Sequence, residues 1–393
     1  MSIDPRAFYR DHKNLVTAIA ALTFAALLPL FFDPLSNVTN NCILAAAYVV
    51  MALGLNIVVG FAGLLDLGYV AFYAFGAYTI GWFASDHFSS VNGGEGFHVV
   101  AGEFASNLPG IHLNFLLVLV VAVAITGLAG MLIGLPTLRL RGDYIAIVTL
   151  AFGEIIYRFA INGDEILFAE GYKLTNGRQA ISPTDTIDLP GISPFDSAFN
   201  LRPFYWFCLA LVALVLLVNF RLRDSRLGRA WIAIREDEVA AASMGVPLVK
   251  TKLMAYATGA AFGGISGAFL GSYLTSVNAH NFQFGFSIFI LAMIILGGLG
   301  SIWGVTLGAI LLSFINTYFL PDVFNEVPRK LGLDFDLTVL NFGIFGFLIL
   351  LVMVLRPQGL FPERRRALEL THGIGAGDSI GAEPEATVDV RVP

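Results

Sequence analysis

The sequence predicts an all-α, polytopic integral membrane protein, and three observations lead to this fold class. Of its 393 residues, 56% are hydrophobic and only 13% are charged, and the mean hydropathy is +0.76, which leaves too little charge to cover a soluble domain. The apolar runs are continuous, as in FYWFCLALVALVLLVNF at 204–220, whereas the strands of membrane barrels alternate polar and apolar residues. Their lengths approach the roughly 20 residues that a helix needs to cross a bilayer.

Ten apolar runs are candidate helices. The first run follows a charged N-terminal segment and lacks a small-residue cleavage site, which favours a retained span over a removed signal peptide. The eighth and ninth runs are short and separated only by GGLGSIW, so they are interpreted as one broken element or as half-helices. We therefore expect about eight to ten spans. The ten runs lie at 15–32, 42–60, 68–84, 113–135, 144–161, 204–220, 253–275, 285–297, 304–319 and 338–355.

Basic residues predict the orientation of these spans, because Lys and Arg concentrate in cytoplasmic loops. They are frequent in 1–14, in 221–252 and from 356 onwards, which places these segments and both termini in the cytoplasm. The loop at 85–112 has no Lys or Arg, and 162–203 has more acidic than basic residues. Both loops are therefore expected on the outside of the membrane.

The predicted organisation has three parts. A cytoplasmic N-terminus covers 1–14, a transmembrane domain covers 15–355, and a cytoplasmic tail covers 356–393. The end of the tail is rich in Gly, Pro and acidic residues and has too little apolar content to form a core, so we expect it to be partly disordered.

Several function classes find no support in the sequence. No Gly-Lys pair occurs, so the chain lacks a P-loop of the GxxxxGK[ST] type. The six histidines show no metal-ligand spacing, and Cys42 and Cys208 lie far apart in apolar runs, so we predict neither a metal site nor a disulfide. Basic patches with interleaved aromatic residues, which would indicate nucleic-acid binding, are missing. We predict no catalytic residues.

The stretch GLNIVVGFAGLLDLGYVAFYAFGAYTIGW at 54–82 contains repeated glycines and one carboxylate, Asp66, within apolar sequence. In one interpretation GFAGLLDLG is a cytoplasmic turn and Asp66 caps the next helix. In the other, which we favour, the glycines break the helix inside the membrane and the free backbone lines a polar cavity. Asp66, Tyr69 and Tyr73 would then face a transport path.

A second intramembrane feature is the pair Glu154 and Arg158, four residues apart within an apolar run. This spacing allows the two side chains to pair on one helical face, which lowers the cost of placing both charges near hydrocarbon. The pair is a candidate for the transport path, and a purely structural role is the alternative.

Glycine recurs every four residues in YATGAAFGGISGAFLGSYL and forms a stripe on one helix. Such a stripe allows the backbone of another helix to approach closely, so we predict helix packing at these positions. The glycines are Gly259, Gly263, Gly267 and Gly271.

The segment REDEVAAASMG, within 221–252, predicts one short helix that has acidic residues in its first turn and ends at Gly245. A small, alanine-faced helix held between two spans suits docking to a soluble partner. An amphipathic connector at the membrane surface is the alternative.

Five motifs in this order resemble the M-type permease subunit of branched-chain amino-acid ABC importers: GFAGLLDLGYVAFYAFGAYT, LRLRGDYIAIVTLAFGEI, LGRAWIAIREDEVAAASMG, ILGGLGSIWG and LRPQGLFP. The resemblance spans about 42–362. It implies the ABC importer permease fold in a bacterial inner membrane and the import of Leu, Ile or Val by alternating access. Related permeases carry urea, amides or other amino acids, which gives an alternative substrate class. An ion-coupled secondary transporter is a further alternative.

The resemblance also implies partners. They are a second homologous permease, two cytoplasmic ATPase subunits that hold ATP and Mg, and an extracytoplasmic solute-binding protein. The chain itself is expected to bind no cofactor, and its surroundings are membrane lipid. REDEVAAASMG corresponds to the loop that couples to an ATPase, which makes Glu236, Glu238, Ala241 and Gly245 the contact candidates. The chain departs from the family at AEGYKLTNGRQAIS, where a Thr-Gly-Gly-Pro-Asn-Gly-like stretch is typical.

Overall fold

The fold is a bundle of apolar helices. The computed structural model describes residues 21–89, 91–100, 108–138, 140, 142–164, 167–169, 172–189, 195–324, 341–356 and 359–361. The predicted N-terminal segment 1–14 and the tail beyond 361 lie outside these residues. Among the described residues, six helices are long and apolar enough to cross a membrane, and four shorter apolar helices accompany them. Each of these helices overlaps one of the ten predicted runs, although residues 15–20 and 338–340 of the first and last runs lie outside the described residues. The helices confirm an all-α polytopic membrane protein.

A first apolar helix covers Ala21–Leu30. The numbered helices that follow are α1 Asn37–Leu55, α2 Val70–Phe83, α3 Phe115–Thr137, α4 Asp143–Ile161, α5 Arg202–Asp224, α6 Arg226–Glu236, α7 Glu238–Ser243, α8 Leu248–Tyr273, α9 Phe284–Gly297, α10 Ile302–Phe314 and α11 Asn341–Leu355. Two π-helical segments, Asn56–Phe61 and Ile315–Phe324, continue α1 and α10.

Side-chain caps begin several of these helices. Ser36 accepts a hydrogen bond from the amide of Thr39 at the start of α1, and Asn114 accepts one from Leu116 at the start of α3. Ser301 caps α10 in the same way through the amide of Gly304. Each cap satisfies an amide that has no partner within its helix, which fixes where the helix begins.

Short strands cover one end of the bundle, a detail that the sequence did not predict. β1 (Ala84–Ser85) pairs antiparallel with β3 (Ile111–Leu113), and β2 (Phe97–Val99) pairs parallel with the other side of β3. β4 (Leu167–Ala169) and β5 (Tyr172–Lys173) form a hairpin. Isolated bridges join Ser85 to Thr184 and Ile181 to Val277. We call this end of the bundle the strand end, and the opposite end, which carries α6 and α7, the α6 end.

The centre of the bundle is α8, which packs against α1, α2 and α3. Its glycines permit these close contacts. A Cβ at Gly267 would lie 2.9 Å from the amide nitrogen of Ala77, and one at Gly263 would lie 3.1 Å from the Cβ of Phe72. At Gly259 the added atom would lie 2.5 Å from a methyl of Val58, and at Gly271 3.5 Å from the Cβ of Ile80. The stripe therefore faces neighbouring helices of the same chain.

The eighth and ninth predicted runs form two separate helices packed as a hairpin. α9 ends at Gly297, and the turn uses Gly298 (φ 113°) and Gly300 (φ 84°), a backbone region that L side chains rarely adopt. A Cβ at Gly308 of α10 would lie 2.7 Å from the amide nitrogen of Gly297. The 14 residues of α9 span about 21 Å, which is shorter than the hydrocarbon of a bilayer.

The prediction of one helix over REDEVAAASMG is wrong in one respect. Asp237 has an extended backbone (φ −153°, ψ 110°) and separates α6 from α7. Its carboxylate accepts hydrogen bonds from the amides of Val239 and Ala240 at 2.8 and 3.0 Å, so Asp237 ends one helix and caps the next. α7 then ends before Gly245 (φ +84°), as predicted.

Candidate functional site

The first part of the candidate site is a break between α1 and α2. The π-helical segment Asn56–Phe61 ends α1, and residues 62–69 are irregular until α2 begins at Val70. Tyr69 lies beside Gly259 and Gly263 of α8. The helix α8 is about 39 Å long, and these two glycines lie about 16 and 22 Å from its start at Leu248. The break therefore reaches the middle of the bundle.

Asp66 lies at the centre of this break and is 2% exposed. Its Oδ1 accepts a hydrogen bond of 2.9 Å from the amide of Gly68, while its Oδ2 has no partner among the described residues. The next amide, that of Leu67, donates to the hydroxyl of Thr149 on α4 at 3.0 Å. Asp66 thus faces α4, and its carboxylate holds a tight turn of the backbone.

The two tyrosines have different surroundings. Tyr69 is fully buried, and its hydroxyl donates to the carbonyl of Gly259 at 2.8 Å. Tyr73 lines a cavity, and its ring lies 5.2 Å from that of Phe286 and 5.3 Å from that of Phe282. Of the three residues predicted to face a transport path from this segment, only Tyr73 lies at this cavity.

This cavity has a volume of about 400 Å³, within the range of sites for small molecules. Its walls combine aromatic and aliphatic side chains from α1, α2, α8 and α9. Its polar residues come from the loop before α9 and from the second π-helical segment: His280, Asn281, Gln283 and Asn316. Apolar walls with a few polar groups suit a small solute that has a hydrocarbon part and hydrogen-bonding groups. Sequence reasoning missed these residues, because they come from separate segments.

Glu154 and Arg158 pair on α4, with 2.8 Å between Oε1 and Nε. They lie on the outer face of the chain, and their side chains are 39% and 68% exposed. The structure therefore does not bring this pair to the cavity at Tyr73.

The second part of the candidate site is the α6–α7 segment. Trp231 of α6 is fully buried, and its Nε1 donates to the carbonyl of Thr251 at 2.8 Å. Lys252 of α8 is 3% exposed and forms a salt bridge of 2.7 Å with Glu238. Buried charges are stable only when they are paired, so this contact fixes α7 on α8.

The predicted contact residues divide between the two faces of this segment. Ala241 is 4% exposed and faces the bundle, and Glu238 is held by Lys252, whereas Glu236 and Gly245 lie on the exposed side. Two apolar residues that sequence reasoning missed, Val239 and Met244, are 67% and 85% exposed. These two side chains form a small apolar surface on the outer side of the anchored α7.

Arg235 joins the two parts of the site. Its guanidinium donates a hydrogen bond from Nη1 to the carbonyl of Gly60, within the π-helical segment. Its side chain also lies against Gly63 (φ +71°), where a Cβ would be 2.5 Å from Cγ of Arg235. On the other side of the segment, Asn56 accepts a hydrogen bond of 3.0 Å from the amide of Gly300. The break is thus held between α6 and the turn that joins α9 to α10.

A buried histidine ties the loops together at the strand end. The Nδ1 of His112 lies 2.7 Å from Asp185, and its Nε2 lies 3.2 Å from Asp86. Burial lowers the pKa of His112, but the hydrogen bond and charge of Asp185, with the charge of Asp86, outweigh it, so the pKa is raised above 6.5. Carboxylates at both ring nitrogens fit the doubly protonated imidazolium.

The bundle of apolar helices defines a multi-pass membrane protein. The chain belongs to the family of branched-chain amino acid transport system permease components, which matches residues 37–354.

Individual relatives agree with this family. The chain is 35% identical over 385 residues to the high-affinity branched-chain amino acid transport system permease protein LivM of Escherichia coli (strain K12), covering 93% of this chain and 79% of the relative. It is 24% identical over 330 residues to the permease protein LivH of the same strain, covering 79% and 95%. The probable branched-chain amino acid transport permease protein LivM of Methanocaldococcus jannaschii is 27% identical over 330 residues, covering 81% and 91%. No solved structure matches the chain.

Proposed function

We propose that this chain is the membrane-spanning permease subunit of an ATP-driven importer for Leu, Ile and Val in a bacterial inner membrane. Two cytoplasmic ATPase subunits bind ATP and Mg, a second permease completes the translocation path, and an extracytoplasmic solute-binding protein delivers the amino acid. The names of the Escherichia coli relatives, LivM and LivH of a high-affinity branched-chain amino acid transport system, support this assignment.

The observation that carries the proposal is the α6–α7 segment. Its inner face is fixed by Trp231 and by the pair of Glu238 with Lys252, and its outer face exposes Val239 and Met244. In the proposed topology the α6 end faces the cytoplasm, so an ATPase subunit binds this outer face. Both chain termini are cytoplasmic in the same topology.

Transmission from the ATPase to the solute path follows the contact of Arg235 with Gly60. A displaced α6 moves the carbonyl that Arg235 holds and with it the break before α2. Tyr73 lies within the first turns of α2, so the same movement reaches the cavity. The ATPases drive this change only because they bind the two arrangements with different free energies.

Substitution of Met244 tests the docking surface. The chain is expressed with a second permease, two ATPases and the binding protein of its own system, and the co-purified ATPase and ATP-dependent uptake of leucine are measured. Met244→Asp places a charge on the exposed apolar surface formed by Val239 and Met244, and we expect both quantities to fall by about tenfold or more. Met244→Leu is the matched control and retains both.

Two outcomes contradict the proposal. One is an unchanged amount of ATPase with Met244→Asp. The other is uptake of leucine by the purified chain alone under an ion gradient, which identifies a secondary transporter.

A further inference from the structure

The outward face of α4 differs from that of α3. Its exposed residues recur every three or four positions and form one stripe along the helix. The stripe contains Tyr144, Ile147, Ala151, Ile155, Arg158 and Asn162. Glu154 lies beside it and pairs with Arg158 at 2.8 Å.

α3 provides the comparison. Its large exposed side chains are all apolar, as expected for a helix in contact with lipid. They are Leu116, Leu117, Val120, Leu128, Leu132 and Leu135. Exposure alone is therefore not the unusual property of α4. The distinguishing property of α4 is that the acidic member of an exposed ion pair, Glu154, lies in the interior of a candidate membrane span, Tyr144–Ile161, and not at its end.

The position of Glu154 along α4 makes contact with lipid costly. It lies about 16 Å from the start of the helix at Asp143 and about 10 Å from the end at Ile161. A carboxylate at this depth lies within the hydrocarbon of a bilayer, where an ionised side chain is expensive unless protein or water surrounds it. The salt bridge with Arg158 lowers this cost, but both side chains stay partly exposed.

The shape of the surface also suits a protein neighbour. A shallow notch of about 650 Å³ lies around Leu150, Ala151 and Ile155, and Glu154 and Arg158 form part of its wall. Ala151 is the small residue in the middle of the stripe. Small residues between larger ones allow the side chains of another membrane helix to interdigitate closely.

We propose that this α4 stripe is the surface that binds the second permease subunit, a separate homologous chain. This inference rests on the proposed function. The Escherichia coli relatives LivM and LivH are both named permease proteins of a high-affinity branched-chain amino acid transport system, and each aligns with at least 79% of this chain. In this arrangement a polar group of the second permease contacts the Glu154–Arg158 pair, and the bound subunit shields both side chains from lipid.

Site-specific photocrosslinking tests this surface in the complete complex. A photoreactive phenylalanine analogue is placed at Ala151 of the α4 stripe or, as the matched control, at Leu132 of the lipid-facing side of α3, which is 67% exposed. We expect a crosslink to the second permease from position 151 and none from position 132. A crosslink to that subunit from 132 and none from 151 overturns the inference.

The same experiment separates the inference from the proposed function. If no second permease co-purifies with the chain, the proposed function fails. If it co-purifies but crosslinks only from another face, the inference alone fails. A crosslink from Ala151 to a second copy of this chain also overturns the inference.

Removal of one charge gives an independent measurement. Glu154→Ala leaves Arg158 without its carboxylate at the interface, and we expect the amount of co-purified second permease to fall by about tenfold or more. Asp224→Ala is the control, because it breaks the pair of Arg223 with Asp224 at the end of α5, where Asp224 is 73% exposed. Equal recovery of the second permease with both variants contradicts the inference.

Discussion

At the scale of single residues, Arg235 and Lys252 show how charge serves an otherwise apolar molecule. Arg235 reaches a carbonyl of a helix that has changed to π geometry, where the backbone departs from regular helical hydrogen bonding. Lys252 is nearly inaccessible to solvent and is balanced by one carboxylate, that of Glu238. Each cation therefore fixes α6 or α7 to a particular neighbour.

The pairing of Lys252 predicts the behaviour of Glu238 variants. Glu238→Ala leaves a buried ammonium without a partner and is expected to lower the free energy of unfolding by about 1–3 kcal/mol. The double variant Glu238→Ala/Lys252→Met removes both charges and is expected to recover most of this loss. Thermal unfolding of the purified chain in detergent checks both values. A double variant no more stable than the single one would show that the ion pair is not the cause.

The pair of Glu238 with Lys252 also bears on the proposed docking surface. A change of Glu238 is expected to alter the position of α7 as well as its surface, so an effect on binding of the proposed ATPase would have two causes. Met244 is 85% exposed and Val239 67%, and neither anchors the helix. Variants at these two residues report on docking itself.

At the scale of elements, the contact between α2 and α8 depends on glycines at the crossing. Gly76 of α2 faces Gly264 of α8, with 2.6 Å between an added Cβ and the Cα of Gly264. Gly267 approaches Ala77 in the same way. Glycine lowers the intrinsic stability of each helix, but it allows the two backbones to pack closely, and this packing compensates for the loss.

Gly267→Ala is therefore predicted to destabilise the chain. The new methyl group would lie 2.9 Å from the amide nitrogen of Ala77 and 3.2 Å from the carbonyl carbon of Gly76, and neither backbone atom moves easily. We expect a loss of about 1–3 kcal/mol in the free energy of unfolding. Gly343→Ala on α11 is the control, since among the described residues no atom outside its own helix backbone and its chain neighbours lies within 4 Å of the added group. Equal thermal unfolding midpoints for the two variants would refute the role of the crossing.

The sequence predicts some elements better than others. Continuous apolar runs identify the helices, because length and hydropathy alone decide which segments cross a membrane. The division of REDEVAAASMG by Asp237 was missed, because an acidic residue near a helix start fits both a first turn and a cap. The alanine-rich α7 has no apolar periodicity, so the sequence does not show that Ala241 faces inward and Val239 outward.

The residues that line the cavity were harder to predict from the sequence than the helices. Tyr73 was predicted from its place after a glycine-rich break, but Tyr48, Asn281 and Asn316 belong to three other segments. Their meeting depends on how α1, α9 and the second π-helical segment pack, which no local pattern encodes. Asp66 was singled out as an unusual acid, yet the structure places it against α4 and away from this cavity.

At the scale of the whole molecule, the two ends of the bundle are built differently. The α6 end combines an anchored helix with exposed apolar residues, whereas the strand end is joined by backbone bridges and by His112. His112 connects the loop after α2, through Asp86, with the loop before α5, through Asp185. We therefore expect the stability of the strand end to depend on the protonation of His112.

The raised pKa of His112 sets the direction of this dependence. A group whose pKa is higher in the folded state stabilises the fold fully below its ordinary value of 6.5, and this contribution is lost as the pH rises through the folded value. We expect the thermal unfolding midpoint to fall as the pH increases from 6.5 through the pKa of His112 in the folded protein. The variant His112→Gln is expected to lack this part of the pH dependence. A variant with the same pH profile as the natural chain would contradict the assignment to His112.

We propose that the α6–α7 segment transmits work from the ATPases to the break before α2 through Arg235. The most direct measurement is the amount of leucine imported per ATP hydrolysed by the complete complex in sealed vesicles. Arg235→Ala is compared with Arg229→Ala, whose guanidinium bonds only to the carbonyl of Asp224 among the described contacts. We predict that Arg235→Ala retains ATP hydrolysis and loses most of the uptake, while Arg229→Ala retains both. Equal uptake per ATP in the two variants would contradict it.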